Sequence, residues 1–398
     1  MLAPSTPWYA AKLAPSMDQG TVASVLMASY AIGTFCSSLV TGALSDRVGR
    51  RPVLLGAMAI FSASQFCVAN SNQLVWFAIF RALGGTAAGT RPVIAAYLID
   101  SSRPEDMKMY GVFFGLCVVG GQAIGSSIGG AMSEVALSFP FYFMGVTGLI
   151  VLILLLLFLT ESLIKDENGM PVRKVGCEGA GRSEMAKNKY LIPTVICMSL
   201  GAFSGQYIEI SWATVFGLLA HDQYNLSPSE SGGILGLQVI ATLIVNFAYL
   251  PITHVIEPGI LASLGLFITS LIIVVPFIHN ITGVLFLGMS AQAAPMLYFA
   301  GMAFFAAVVS PPKHRGLVNS IVGASANLGG IIGPFTTGNL YVVGPTYPFY
   351  LCLCISCLGA TACLGIEAGI RYQIRLNRRA EEQRALSEKL DLRDSTEA

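Results

Sequence analysis

Charge is what this chain has least of. Asp, Glu, Lys and Arg make up 11% of its 398 residues, against roughly a quarter in ordinary soluble domains, which excludes a soluble globular enzyme. The formal net charge is +1, so no broad basic surface is offered to nucleic acid. No G-x-x-x-x-G-K-[ST] segment occurs, which disfavours ATP hydrolysis as an energy source. The four histidines (His221, His254, His279 and His314) lie far apart, and no hydrolytic constellation accompanies them. Neither a metal centre nor a catalytic site is therefore expected, and no cofactor is implied. Nine cysteines are present, and all but Cys177 fall in apolar runs, so a disulfide framework is not expected. The first residues lack a basic stretch followed by an apolar core, and are not read as a cleavable signal peptide.

What is present is apolar length. Hydrophobic residues make up 54%, and the mean hydropathy is +0.68. Runs at 21–43, 52–70, 74–98, 109–132, 140–160, 190–219, 230–254, 260–278, 282–309, 317–341 and 347–370 are read as about eleven bilayer-spanning helices. With the 44–51 loop placed in the cytoplasm, every Lys and Arg except Lys12, Arg81 and Arg91 falls on the inner side, as the positive-inside rule requires. The reading is an all-α multi-pass membrane protein. Residues 1–160 form an N-terminal helical bundle, 161–189 a central cytoplasmic loop, 190–370 a C-terminal six-helix bundle and 371–398 a basic cytoplasmic tail. The plasma membrane is the base-rate location, and an organellar membrane would leave the same pattern.

The two halves repeat. A shift of 208 residues, the step from Pro104 to Pro312, also superposes Gly115 on Gly323, Gly121 on Gly329, Gly125 on Gly333 and Gly130 on Gly338. Such duplications build secondary transporters whose halves tilt about a central site. At the same shift the helix at 190–219 has no mate. About eleven spans are therefore read as a set of about twelve lacking its first member, with residues 1–15 leading out of that helix.

Between the first two runs lies Gly42-Ala-Leu-Ser-Asp46-Arg47-Val-Gly49-Arg50-Arg51. The pattern G-x-x-x-D-R-x-G-R-R in this place resembles the loop between the second and third helices of major facilitator superfamily transporters. The resemblance implies that Gly42, Asp46, Arg47, Gly49, Arg50 and Arg51 latch the halves in one orientation. Topogenic charge alone is the plainer reading, and it explains neither the acid nor the glycines. Phe80-Arg81-Ala-Leu-Gly84 resembles the family's R-x-x-x-G helix, where the arginine is tied to proton coupling or to orienting the site. A buried structural ion pair is the alternative for Arg81. Gly121-Gln122-Ala-Ile-Gly125-Ser126-Ser127-Ile-Gly129-Gly130 resembles the antiporter signature G-x-x-x-G-P-x-x-G-G, with Ser126 in place of proline, and Gly333-Pro334 keeps that proline in the second half. Glycines at helical spacing also serve tight packing of any kind.

Gln206-Tyr207-Ile-Glu209-Ile-Ser211-Trp212 carries the clearest acid inside an apolar run. An intramembrane carboxylate is a functional candidate by default, able to take up and release a proton. Tyr207 and Trp212 are candidates to stack on a solute, or else anchors and packing. Tyr97, Gln122, Gln238, Asn246, Gln292, Asn319 and Asn327 are further polar positions within spans that read mostly as interhelical ties, with Gln122 also a candidate for the substrate and proton-coupling site. Within the superfamily the resemblance is nearest the drug:proton antiporters that include tetracycline exporters. It implies two pseudo-symmetric bundles, alternating access, a small organic substrate, protons as the coupling ion and a monomer in lipid, with Glu209 and Arg81 as the working charges. A proton-independent facilitator of a neutral metabolite and a non-transporting membrane protein remain open on the sequence.

Overall fold

The computed structural model describes residues 2–91, 93–94, 97–98, 107–161, 191–278, 280–309 and 315–397. Of the sequence expectations, Asp100, Pro104, Pro312, His314, the 99–106 connection and the central loop beyond Glu161 lie outside these residues.

A short 3-10 turn, Ala3–Ser5, leads into α1 (Thr6–Leu13). There follow α2 (Gln19–Val48), α3 (Arg50–Ala69), α4 (Leu74–Ala88), α5 (Met107–Val135) and α6 (Phe139–Phe158). The second half comprises α7 (Leu191–Asp222), α8 (Pro228–Thr253), α9 (Pro258–Thr269), α10 (Ile281–Ala293), α11 (Met296–Val309), α12 (Arg315–Val343) and α13 (Tyr347–Glu397). α9 runs on as a 3-10 helix over Ser270–Phe277, which contains Pro276. The 282–309 run, expected as one helix, is two: it breaks between Ala293 and Met296, where Pro295 has no N–H for the helical ladder. The 44–51 loop is shorter than expected. α2 continues through Asp46 and Arg47, and only Gly49, at φ 127°, separates it from α3. That left-handed backbone favours glycine. At the opposite end, α8 opens with a reciprocal cap. Ser227 Oγ accepts the Glu230 N–H, Glu230 returns its carboxylate to the Ser227 N–H, and Pro228 takes the first helical position.

Seven helices among the described residues are both long and apolar enough to cross a bilayer. The helices α5, α7 and α12 are also long, at 29, 32 and 29 residues, but carry more glycine and hydroxyl side chains. α12 packs between α7 and α2, and α5 packs on α8.

The two halves meet along α2 with α12 and α5 with α8, and the repeat is visible in the contacts themselves. A Cβ on Gly20 would lie 2.3 Å from the Gly338 carbonyl, and one on Gly130 would lie 2.4 Å from the Pro228 carbonyl. Gly20 and Pro228 are symmetry mates under the 208-residue shift, as are Gly130 and Gly338. Both contacts lie at the end that the charge distribution assigns to the outside, so the halves are in backbone contact there. The N-terminal segment also covers this end. Leu2, Tyr9 and Ala10 are buried, Tyr9 donates to the Leu137 carbonyl, and Trp8 meets His221 of the second half edge to face at 5.1 Å.

Candidate functional site

Glu209 lies within α7, where the repeat halves meet, and is 7% exposed. Its Oε1 accepts Gln122 Nε2 at 3.3 Å, and its Oε2 accepts Gln206 Nε2 at 3.2 Å. Gln206 is one turn away on α7, whereas Gln122 comes from α5 in the other half. One buried carboxylate thus bridges the halves through amides alone. Arg91 is within electrostatic range without forming an ion pair. Gln122 itself keeps exposed surface, so the tie borders open space.

Hydrogen bonds to a carboxylate are charge-assisted while it is ionised and weaken when it is protonated. This arrangement can therefore convert a proton's arrival into a looser contact between halves.

Arg81 is not part of that cluster. It is 9% exposed and lies inside the N-terminal half, its guanidinium carbon 4.9 Å from the Tyr30 ring centroid and 5.7 Å from that of Phe141. No carboxylate pairs with it among the described residues.

Tyr207 and Trp212, expected as stacking surfaces, both lie in the C-terminal core beside Ile208, Val215 and Phe216. The Tyr207 hydroxyl meets Thr336 Oγ1 at 2.6 Å, and Trp212 Nε1 donates to Gln238 Oε1 at 2.8 Å. The physical reason is spacing. Residues 208, 212, 215 and 216 form an inward stripe, and Glu209 lies to one side of it, facing α5. Asn327 behaves as the interhelical tie expected of it, donating to Ser38 Oγ across the halves at 3.2 Å.

The charged cluster at the α2–α3 junction is built as a cap. Asp46 Oδ1 pairs with Arg50 Nη1 at 2.6 Å, and the same Nη1 donates to Ser45 Oγ at 2.6 Å. Glu161, just past the end of α6, accepts the N–H groups of Arg50 and Arg51 at 2.9 and 3.1 Å, placing an anion on the positive end of α3. Arg51 also donates to the Leu156 carbonyl at 2.9 Å. A Cβ on Gly49 would lie 2.6 Å from Glu161, so this glycine makes room for the cap, while Gly42 faces open space. Arg47 lies in the last turn of α2. The described partners of Asp46, Arg50 and Arg51 all belong to the N-terminal half.

The glycine motif of α5 divides along the helix. Gly130 is pressed against α8, whereas nothing lies within 4 Å of a Cβ at Gly121. Its mate Gly329 is pressed against the Phe203 carbonyl of α7. Gly125 and Gly129 lie on the same helix between these two.

Sequence reasoning missed two carboxylates that matter to this architecture. One is Glu161. The other is Glu367 of α13, whose Oε2 accepts the Gly259 N–H at the start of α9 at 3.1 Å. Gly259 is the 208-residue mate of Arg51, so each half closes its third helix with an acid from its last. Arg371 joins Glu367 at 3.1 Å and also pairs with Glu257. The only sequence signal was an acid near the end of the final apolar run of each half.

Comparison with known proteins agrees with this geometry. The family model described as Major Facilitator Superfamily matches residues 1–254 and 210–389. Quinolone resistance protein NorA of Staphylococcus aureus (strain MSSA476) is 23% identical over 360 residues, covering 87% of each chain. Multidrug resistance protein 1 of Bacillus subtilis (strain 168) is 22% identical over 361 residues, covering 88% of each. Among solved structures, a bacterial homolog to the human lysosomal transporter Spinster, in an inward-facing and occupied conformation, superposes with a TM-score of 0.64 at 15% identity, covering 95% of this chain and 92% of that one. The human organic anion transporter MFSD10 (TETRAN) gives 0.61 at 17%, covering 92% and 89%. Two repeated helical halves joined through α2–α12 and α5–α8, with a family match along nearly the whole sequence, make this chain a multi-pass membrane transporter of small molecules, not an enzyme, belonging to the major facilitator superfamily.

Proposed function

We propose that this chain is a proton-coupled antiporter of the drug:proton branch, moving a small organic, drug-like solute by alternating access, as a monomer in the plasma membrane. The observation that carries the reading is the Gln122–Glu209 bridge. It places a titratable group at the one kind of contact that must change when the halves tilt. With Glu209 ionised, both amides bind it as an anion and the halves are held. Protonation weakens the Gln122 bond and frees α5 from α7. The names of the two bacterial relatives, for quinolone and multidrug resistance, support a drug-like solute. The backbone contacts at the outer end support an inward-facing state, the conformation named for the Spinster homolog.

The test is flux of a drug-like fluorescent dye that bears a carboxylate, the quinolone norfloxacin, in proteoliposomes with and without an imposed pH gradient. The wild type is expected to accumulate dye only with the gradient, and Glu209→Gln is expected to lose the gradient-driven component while keeping downhill exchange. Equal flux with and without the gradient, unchanged in Glu209→Gln, would replace the antiporter with a facilitator.

A further inference from the structure

Arg81 is a buried cation with its binding edge unused. It has no hydrogen bond or ion pair among the described residues, and its Nε is enclosed without an acceptor. The Tyr30 and Phe141 rings lie within cation–π range of its guanidinium carbon. Tyr9 is also within electrostatic range; its hydroxyl donates to the Leu137 carbonyl, and no hydrogen bond joins it to Arg81. All five N–H donors of a guanidinium point outward in its plane. Aromatic rings stabilise the charge without satisfying a single one of these donors.

A second enclosed group lies against the same stretch of α4. Gln65 of α3 is 0% exposed, and both its Oε1 and Nε2 lack partners. The Nε2 would lie 2.8 Å from a Cβ on Gly84, three residues beyond Arg81. An unmatched cation on α4 and an unmatched amide reaching α4 from α3 thus lie about one turn apart inside an apolar half, where unpaired polar groups are costly. A planar two-oxygen anion matches a guanidinium edge with two parallel bonds, and a neutral solute offers no such match.

We propose that Arg81 is the binding point for an oxyanion, a carboxylate or its equivalent, borne by the transported solute. The assignment rests on the transport reading above and adds the substrate's charge class. It also separates the roles of the two buried charges: Glu209 carries the proton and ties the halves, and Arg81 selects the solute.

The test uses the purified full chain in phosphate-free maltoside, with thermal unfolding as the readout and matched probes, benzoate against benzamide and 1-naphthoate against 1-naphthamide. The acids are expected to stabilise the wild type saturably, with apparent affinity at least about ten-fold tighter than their amides. Arg81→Gln is expected to abolish that difference, and Arg81→Lys to keep part of it. Acids and amides acting alike on the wild type would overturn the proposal even if Arg81→Gln does not fold, as would an acid preference that survives in a folded Arg81→Gln. A further arm adds lysophosphatidate. Stabilisation by that lipid alone would assign the oxyanion to a headgroup and overturn the solute assignment. Acid binding without any flux of the same acids under a pH gradient would sink the transport reading while leaving the anion site standing.

Discussion

Glu134, in the last turn of α5, accepts the backbone N–H of Ser229, in the first turn of α8, at 3.3 Å. The contact crosses between halves and sets an acid against the positive end of a 26-residue helix. Such pairings contribute about 0.3–1 kcal/mol when exposed. Glu134→Gln is therefore expected to shift the equilibrium toward outer opening by roughly two- to five-fold. The check is the labelling rate of a single cysteine introduced at Ser24, which lies under this closed end, in a background without other reactive thiols. A rate unchanged by Glu134→Gln would remove this acid from the outer closure.

Gly338 is the tightest point of that closure. A Cβ there would lie 2.1 Å from Ser24 Oγ and 2.5 Å from the Gly20 carbonyl. Overpacking a close contact costs about 1–3 kcal/mol, and here the strain is relieved if the halves separate. Gly338→Leu is expected to hold the outer end open and to abolish full cycles while leaving the protein folded. Retained transport at the wild-type rate would show that the close approach is not needed.

The paired caps bear on stability. Glu161 and Glu367 each satisfy backbone donors at the start of a helix, and loss of a cap costs about 0.5–2 kcal/mol. Glu161→Ala and Glu367→Ala are each expected to lower the thermal unfolding midpoint in detergent. Because the two sites lie in different halves, their effects should add. Marked non-additivity would show that the caps act through the interface between halves.

Glu257, at the N-cap of α9, gives a pH dependence. The Arg371 guanidinium hydrogen-bonded to it holds its carboxyl below the usual glutamate value. A depressed folded-state value means the anion favours the fold. The contribution is complete above the ordinary range of about 4.3 and fades as pH falls below it. Wild-type stability should thus drop more on acidification below about pH 4.3 than that of Glu257→Gln. Parallel profiles would mean the exposed pair contributes nothing.

Much of this architecture is legible in the amino acids because lipid and charge leave strong marks. Glu209 stands out as an acid within an apolar run, and the outer-end glycines repeat at one offset. What escapes is pairing over long separations. Nothing local to Glu161 says that its carboxylate reaches Arg50 and Arg51, and nothing near Gln122 says that its amide finds Glu209. Tyr207 and Trp212 were ambiguous for a different reason. Helical periodicity puts them on definite faces of α7, but in a helix buried on several sides it does not say which face meets a core and which meets a cavity. The 44–51 stretch reads as a loop because it is charged and punctuated by glycine, whereas α2 carries Asp46 and Arg47 and the Asp46–Arg50 pair bridges the single break at Gly49.

The central claim is that the two halves rock about the Glu209–Gln122 tie, opening one end as the other closes. Spin labels at Val135 and Val343, both exposed near the outer ends of α5 and α12, and at Val48 and Val255 near the inner ends of α2 and α8, measure it most directly by pulsed dipolar spectroscopy. Protonation at low pH is expected to lengthen the outer distance and shorten the inner one in the same sample series, with both shifts abolished in Glu209→Gln. Distances that stay fixed, or that lengthen together at both ends, would contradict the account.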